Sequence, residues 1–113
     1  MARDIMKGDM PALILAVLAE EPSHGYAIAR NIERQSQDSF QMNEGTLYPA
    51  LRILEQDGLI KGDWELQPSG PARKVYSITE RGRGELTRRR TEWEAYAQTM
   101  QIILGGKGHA QPA

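Results

Sequence analysis

The stretch MNEGTLYPALR, residues 42–52, carries five polar side chains at close spacing: Asn43, Glu44, Thr46, Tyr48 and Arg52. No nucleophile here is paired with a base, so the chemistry on offer is hydrogen bonding and charge. Thr46 can bond a base edge or a phosphate, Tyr48 can donate its hydroxyl to phosphate, and Arg52, one turn on, can reach guanine or the backbone of a duplex. Asn43 suits either a helix cap or a base contact, and Glu44 either a cytosine amine or the positive end of a helix. A second pair, Arg73 and Lys74 in ARKVY, suits phosphate, each contact adding salt-sensitive affinity. A third group, Ser23, His24 and Tyr26 in PSHGY, opens a helix whose N–H groups and phenol could also meet phosphate.

Other chemistries find little support. The chain has no cysteine, which removes disulfides and thiolate ligands. Its two histidines, His24 and His109, lie far apart and have no carboxylate cluster beside them, so no metal site is expected. There is no histidine beside a serine in a recognisable catalytic setting and no phosphate-cradling glycine loop of the usual spacing. The expectation is a non-enzyme that needs no cofactor. Net charge is −1, yet Pro71–Arg90 holds seven basic residues and two acidic ones, a local +5 against −6 for the remainder. Such a stretch suits phosphate, although charge alone equally describes a solvated helix face. No run of about 18 apolar residues suggests a membrane span. The N-terminus MARDIMKGDM lacks the order of a signal peptide, and a cytoplasmic location is expected.

Five elements must position these groups. In MPALILAVLAEEP, Met10, Leu13, Ile14, Val17 and Leu18 form one helical stripe, with Asp9 as cap, Pro11 in the first turn and Pro22 as terminator. Ser23 is the expected cap of a second helix, in which Ile28 and Ile32 are one turn apart; SQDSFQ is a polar connection. Leu47, Ala50, Leu51 and Leu54 give a third helix a buried face, and Gly58 ends it. Its start is ambiguous. A cap at Asn43 puts Pro49 in the second turn at the loss of a hydrogen bond, whereas a cap at Thr46 loses none. The reading adopted enters from Asn43.

LIKGDWELQ and RKVYSIT flank the turn-rich PSGPA and read as a hairpin, with Trp64 in its first strand. Thr79 caps a last helix from about Glu80 to Leu104, followed by a frayed tail over 106–113. From Leu86 its apolar positions include Trp93, Tyr96, Met100, Ile103 and Leu104, a heptad-like stripe that Arg89 interrupts. Three helices, a hairpin and a further helix make a mainly α fold with a small β-hairpin: a winged helix-turn-helix plus a long C-terminal helix.

GDMPALILAVLAEEPSHGYAIARNIE, NEGTLYPALRILEQDGLI and ARKVYSITERGRGEL together strongly resemble the PadR family of bacterial transcription regulators, over roughly residues 8–104. The single terminal helix resembles the smaller subgroup. The resemblance implies a homodimeric repressor that binds double-stranded palindromic DNA, with a winged domain over 8–79 and a dimerisation helix over 80–105. The expected DNA contacts are Tyr26, Asn43, Thr46, Tyr48, Arg52, Arg73 and Lys74. The expected dimer seam is Leu86, Trp93, Tyr96, Met100, Ile103 and Leu104. Some small members bind flat aromatic compounds beside a tryptophan in that helix, which marks Trp93, with Tyr96, for such an effector. The rival reading is a winged-helix protein-interaction module, or a small-molecule sensor, without DNA binding.

Overall fold

A computed structural model describes residues 2–6 and 8–110, with side chains through Gly106. The elements are β1 (Arg3–Asp4), α1 (Met10–Glu20), β2 (Ser23–His24), α2 (Gly25–Gln35), β3 (Phe40–Gln41), α3 (Glu44–Gln56), β4 (Ile60–Glu65), β5 (Arg73–Ile78) and α4 (Glu80–Ala110). The architecture is the expected one: mainly helical, with a small antiparallel wing and a long last helix.

The first helix is the hub. Met10, Ile14, Leu15, Val17 and Leu18 are buried, and α1 touches α2, α3, α4 and β5. A helix surrounded this way buries more than one stripe, so Leu15, outside the predicted set, is buried while Leu13 is only half-buried. Asp9 occupies the cap position, but its side chain takes no capping bond among the described residues; its carbonyl accepts from the Leu13 N–H at 3.3 Å. Glu21 is extended ahead of Pro22, as a residue before proline prefers.

The expected Ser23 cap is not formed. Ser23 and His24 make β2, which pairs antiparallel with β5 in the register Ser23↔Tyr76 and His24↔Val75. His24 holds the cap position of α2 instead. Once Pro22 has forced the chain out of the helix, the extended backbone meets the edge of β5, and pairing satisfies its polar groups. The sheet therefore has the order β2-β5-β4, one strand more than the predicted hairpin.

The connection from α2 to α3 is built, not merely polar. Gln37 and Asp38 take left-handed conformations, with φ of 54° and 63°. The Glu33 carboxylate accepts from the Met42 N–H at 2.7 Å, and the Ser36 hydroxyl accepts from the Phe40 N–H at 3.1 Å. β3 in this connection pairs parallel with β1, and Ile5, just beyond β1, is buried in the core. Two-residue pairings of this kind leave no periodicity to read in the sequence.

The third helix begins at Asn43. The Asn43 Oδ1 accepts from the Gly45 N–H at 2.7 Å, and its carbonyl accepts from the Thr46 and Leu47 N–H groups, each at 2.9 Å. Pro49 is therefore inside the helix. Leu47, Leu51 and Leu54 are buried, as predicted, and Ala50 is half-buried. At the far end Gly58 has φ 75°; its N–H donates to the Glu55 carbonyl, and the Leu59 N–H donates to the Leu54 carbonyl, both at 3.0 Å. This is a Schellman cap, which needs the left-handed residue that glycine supplies.

Thr79 caps α4, accepting from the Gly82 N–H at 3.0 Å. The same hydroxyl donates to the Gly58 carbonyl at 2.7 Å, and the Thr79 N–H donates to the Leu59 carbonyl at 3.1 Å. Gly82 is explained by this junction, since a methyl there would collide with the Leu59 carbonyl oxygen.

Leu86 departs from the expected dimer seam. It is buried in the core of its own chain, while Trp93, Tyr96, Met100, Ile103 and Leu104 are exposed. At 100° per residue Leu86 and Trp93 face the same way, so one stripe starts against the body of the domain and then runs off it. The radius of gyration is 17.1 Å, against about 13 Å for a compact chain of this length, because α4 projects. Gly106 is non-helical (φ 62°, ψ −164°), interrupting α4 close to the predicted end. Residues 111–113 of the expected tail lie outside the described residues.

The two glycines near the start of α4 separate steric need from helix propensity. Open space surrounds Gly84, so Gly84→Ala should stabilise by up to about 1 kcal/mol through helix propensity. Gly82→Ala should instead cost about 1–3 kcal/mol through overpacking. Urea titration of the two variants measures both signs.

Candidate nucleic-acid interface

The buried stripe Leu47, Leu51 and Leu54 fastens α3 to the core and turns the rest of the helix outward. The predicted contact residues divide between two flanks of α3. Tyr48 lines a cleft of about 300 Å³ with Tyr26 and Gly25 of α2, Trp64 of β4, and Arg73 and Tyr76 of β5. Asn43 and Thr46 line a different groove, of about 590 Å³, with Ile5, Ile53 and Arg89. Arg52 is exposed one turn beyond Tyr48. Residues 48, 52 and 55 follow the i, i+4, i+7 spacing of one helical line. Tyr48 and Arg52 thus face the wing side of α3, and Thr46 does not share that line.

Tyr48 explains a glycine that sequence patterning leaves unassigned. A methyl on Gly25 would stand 2.8 Å from the Tyr48 ring and hydroxyl. The absence of a side chain at the start of α2 lets this phenol lie across the helix N-terminus. Tyr26 is exposed, with the Arg30 guanidinium 5.0 Å from its ring centroid. His24, in the same cleft, has its pKa lowered by burial and by the nearby Arg73 charge.

On the wing, Arg73 and Lys74 differ. Arg73 is exposed and stands 3.8 Å from Glu65, a loose pair across the hairpin. Lys74 is only partly exposed. Its ammonium is 2.9 Å from Glu55 Oε1 on α3 and 5.5 Å from the Tyr76 ring centroid. Glu55, the carboxylate that meets Lys74, is a residue that sequence reasoning did not single out. Its one signal is the line it shares with Tyr48 and Arg52.

Part of the basic run on α4 is likewise occupied, whereas Arg81, Arg83 and Arg90 are exposed. Glu85 accepts from Arg88 and Arg89 at 2.6 Å each, and Arg88 also binds Glu92 at 2.6 Å. Intrahelical pairs of this spacing screen the local positive charge. The two arginines hold the Glu85 carboxyl at about 2, Arg88 having the larger effect. The solvated-face reading of the charge run therefore fits Arg88 and Arg89.

A recessed cleft between α3 and a three-stranded wing, with tyrosine and arginine at its rim, is the geometry of a winged helix-turn-helix. The model of the PadR-like family of transcriptional regulators matches residues 14–88. The chain belongs to this family. Transcriptional regulator Rv3488 of Mycobacterium tuberculosis is 33% identical over 107 residues, spanning 95% of this chain and 94% of its own. A PadR family transcription regulator from hypervirulent Clostridium difficile R20291 has a TM-score of 0.74 at 33% identity, covering 86% of this chain and 99% of that one. The structure of smu.1704 from Streptococcus mutans UA159 matches at TM-score 0.80 and 28% identity over 100% of both chains. This PadR-like chain thus matches the short subgroup, in which one long helix follows the winged domain. PadR-like proteins are transcriptional regulators rather than enzymes, and the winged helix is their DNA-binding unit. Among the described residues no helix is long and apolar enough to cross a membrane.

The Glu85 cluster gives a pH signature. Its folded pKa of about 2 lies below the ordinary 4.5, so its contribution to stability is complete above pH 4.5 and disappears as pH falls toward 2. Glu85→Gln should lower Tm at pH 7, and the gap from the parent chain should close between those two values. Thermal melts across that range test it. A gap that persists at pH 2 would mean that Glu85 acts through packing.

Proposed function

We propose that the chain is a PadR-like repressor that binds a palindromic operator as a homodimer through α3 and the wing. One observation carries the reading: Tyr48 and Arg73, from elements distant in sequence, rim the same cleft, with Arg52 exposed one turn along α3. Arg52 reaches base edges or backbone in the major groove, Tyr48 donates to a phosphate, and Arg73 clamps the backbone beside it. Tyr26 supplies a further phosphate contact. Asn43 serves mainly as the cap that aims the helix, and Thr46 meets the backbone on its other flank.

Residues 8–79 form the DNA-binding domain and 80–105 the dimerisation helix, with 106–113 as a tail. Trp93, Tyr96, Met100, Ile103 and Leu104 are apolar and exposed. A face of this kind on a projecting helix suits a second copy of the chain. A two-fold axis through it would place two α3 helices about one helical turn, roughly 34 Å, apart. A flat aromatic effector beside Trp93 and Tyr96 would release DNA by favouring one dimer geometry over the other.

A gel shift with the promoter of the chain's own gene is the direct test. Arg52→Ala and Arg73→Ala should each weaken binding. Arg73→Ala should also reduce the slope of log affinity against log salt by roughly 0.9, the value for one phosphate. An unchanged slope takes Arg73 out of the interface. For the dimer, Met100→Glu should give monomers by light scattering, and a dimer that persists would remove the α4 seam.

A further inference from the structure

We infer that Lys74 and Glu55 form a clasp that sets the angle of the wing against α3, Lys74 acting as a positioning residue and not as a phosphate ligand. The inference rests on the DNA-binding reading above, and it changes the part that one of the wing's basic residues plays there.

Three sets of contacts attach the wing to the body, one of them the pairing of β2 with Val75 and Tyr76 along the outer edge of β5. At its base, the Thr79 N–H and hydroxyl bond the Leu59 and Gly58 carbonyls. Lys74 lies four residues up β5 from Ile78, about 13 Å along the strand. There its Nζ donates to Glu55 Oε1 at 2.9 Å. Beyond Lys74, Arg73 pairs with Glu65 of the same hairpin, and Leu66 is 88% exposed. The β2 pairing holds β5 from one side, and the Lys74–Glu55 bond adds a direct tie from the wing to α3, which fixes the wing against that helix.

Three features show that the site is built around the lysine. Lys74 crosses Gly62 of β4, and a methyl on Gly62 would collide with Lys74 Cε. The ammonium lies over the ring of buried Tyr76, where a cation is favoured by the π face. Glu55 sits on the line of α3 that also carries Tyr48 and Arg52, so the tie is made to the proposed contact face itself. Both partners are only about one-third exposed, at 30% and 33%, so solvent screens the pair less than it would a surface pair. The bond to Glu55 also raises the Lys74 pKa. An ammonium already neutralised by a carboxylate offers little net charge to phosphate. Its contribution to binding is the fixed distance between the α3 contacts and Arg73.

The two roles predict opposite signs for Glu55. With a duplex selected from random sequence by the parent protein, Glu55→Gln, Lys74→Met and Gly62→Ala should each weaken binding by about tenfold. The salt slope should be unchanged, and the Glu55→Lys/Lys74→Glu exchange should restore affinity. If Lys74 is a phosphate ligand, Glu55→Gln will tighten binding, and Lys74→Met will lower the slope by roughly 0.9. That result overturns the clasp. A DNA-independent arm separates the two readings. In the protein alone, amide exchange in 60–65 and 73–78 should quicken in the single variants and slow again in the exchange variant. Unchanged exchange in the single variants also overturns the clasp. A parent protein that selects no duplex overturns the DNA-binding reading and leaves amide exchange to decide the clasp.

Discussion

Thr79 stands where four elements meet. Its hydroxyl accepts from Gly82 at the start of α4 and donates to Gly58 at the end of α3, while its N–H donates to Leu59 at the start of β4. It directly follows β5, which ends at Ile78. Each bond satisfies a polar group that a helix terminus would otherwise leave open. The approach is so close that Gly82 cannot carry a side chain without moving the Leu59 carbonyl. The directions of the third helix, the wing and the projecting helix are therefore set at one knot. Beneath it, α1 supplies the apolar surface on which all of them rest.

Electrostatics then determine what this frame can present. A chain of net charge −1 gains no general attraction to a polyanion, so the few outward cations matter individually. Intramolecular pairing sorts them. Arg88 and Arg89 are held by Glu85, and Lys74 by Glu55. Arg52 is exposed on α3, and Arg73 keeps only a loose pair at 3.8 Å. Acidic residues thus neutralise some of these cations, while Arg52 and Arg73 stay available beside the cleft. In a near-neutral protein that sorting favours a defined docking orientation over diffuse attraction.

The motifs that carry the family resemblance also find physical reasons. The glycine of HGY and the tyrosine of TLYP are in contact, since Gly25 makes room for the Tyr48 ring. The glutamate of LEQDG reaches Lys74 of the wing, and the glycine of the same run closes the α3 cap with φ 75°. The threonine of SITERG is the knot itself. Positions that look independent along the chain are partners across the fold.

What the sequence determined by itself is local. The buried stripes of α2 and α3, the Asn43 and Thr79 caps, the Gly58 stop and the two wing strands depend on periodicity and cap chemistry within a few residues. Those interactions are readable wherever they occur. Tertiary structure alone decided which groups meet. It drew Ser23 and His24 into a third strand instead of a cap, because the edge of β5 lay alongside. It buried Leu86 and left Trp93 on the surface, although both belong to one stripe, because the body of the domain ends between them. It gave Lys74 a carboxylate 19 positions away in the sequence. A partner's identity depends on how distant elements are brought together, and the spacing of neighbouring residues carries no record of it.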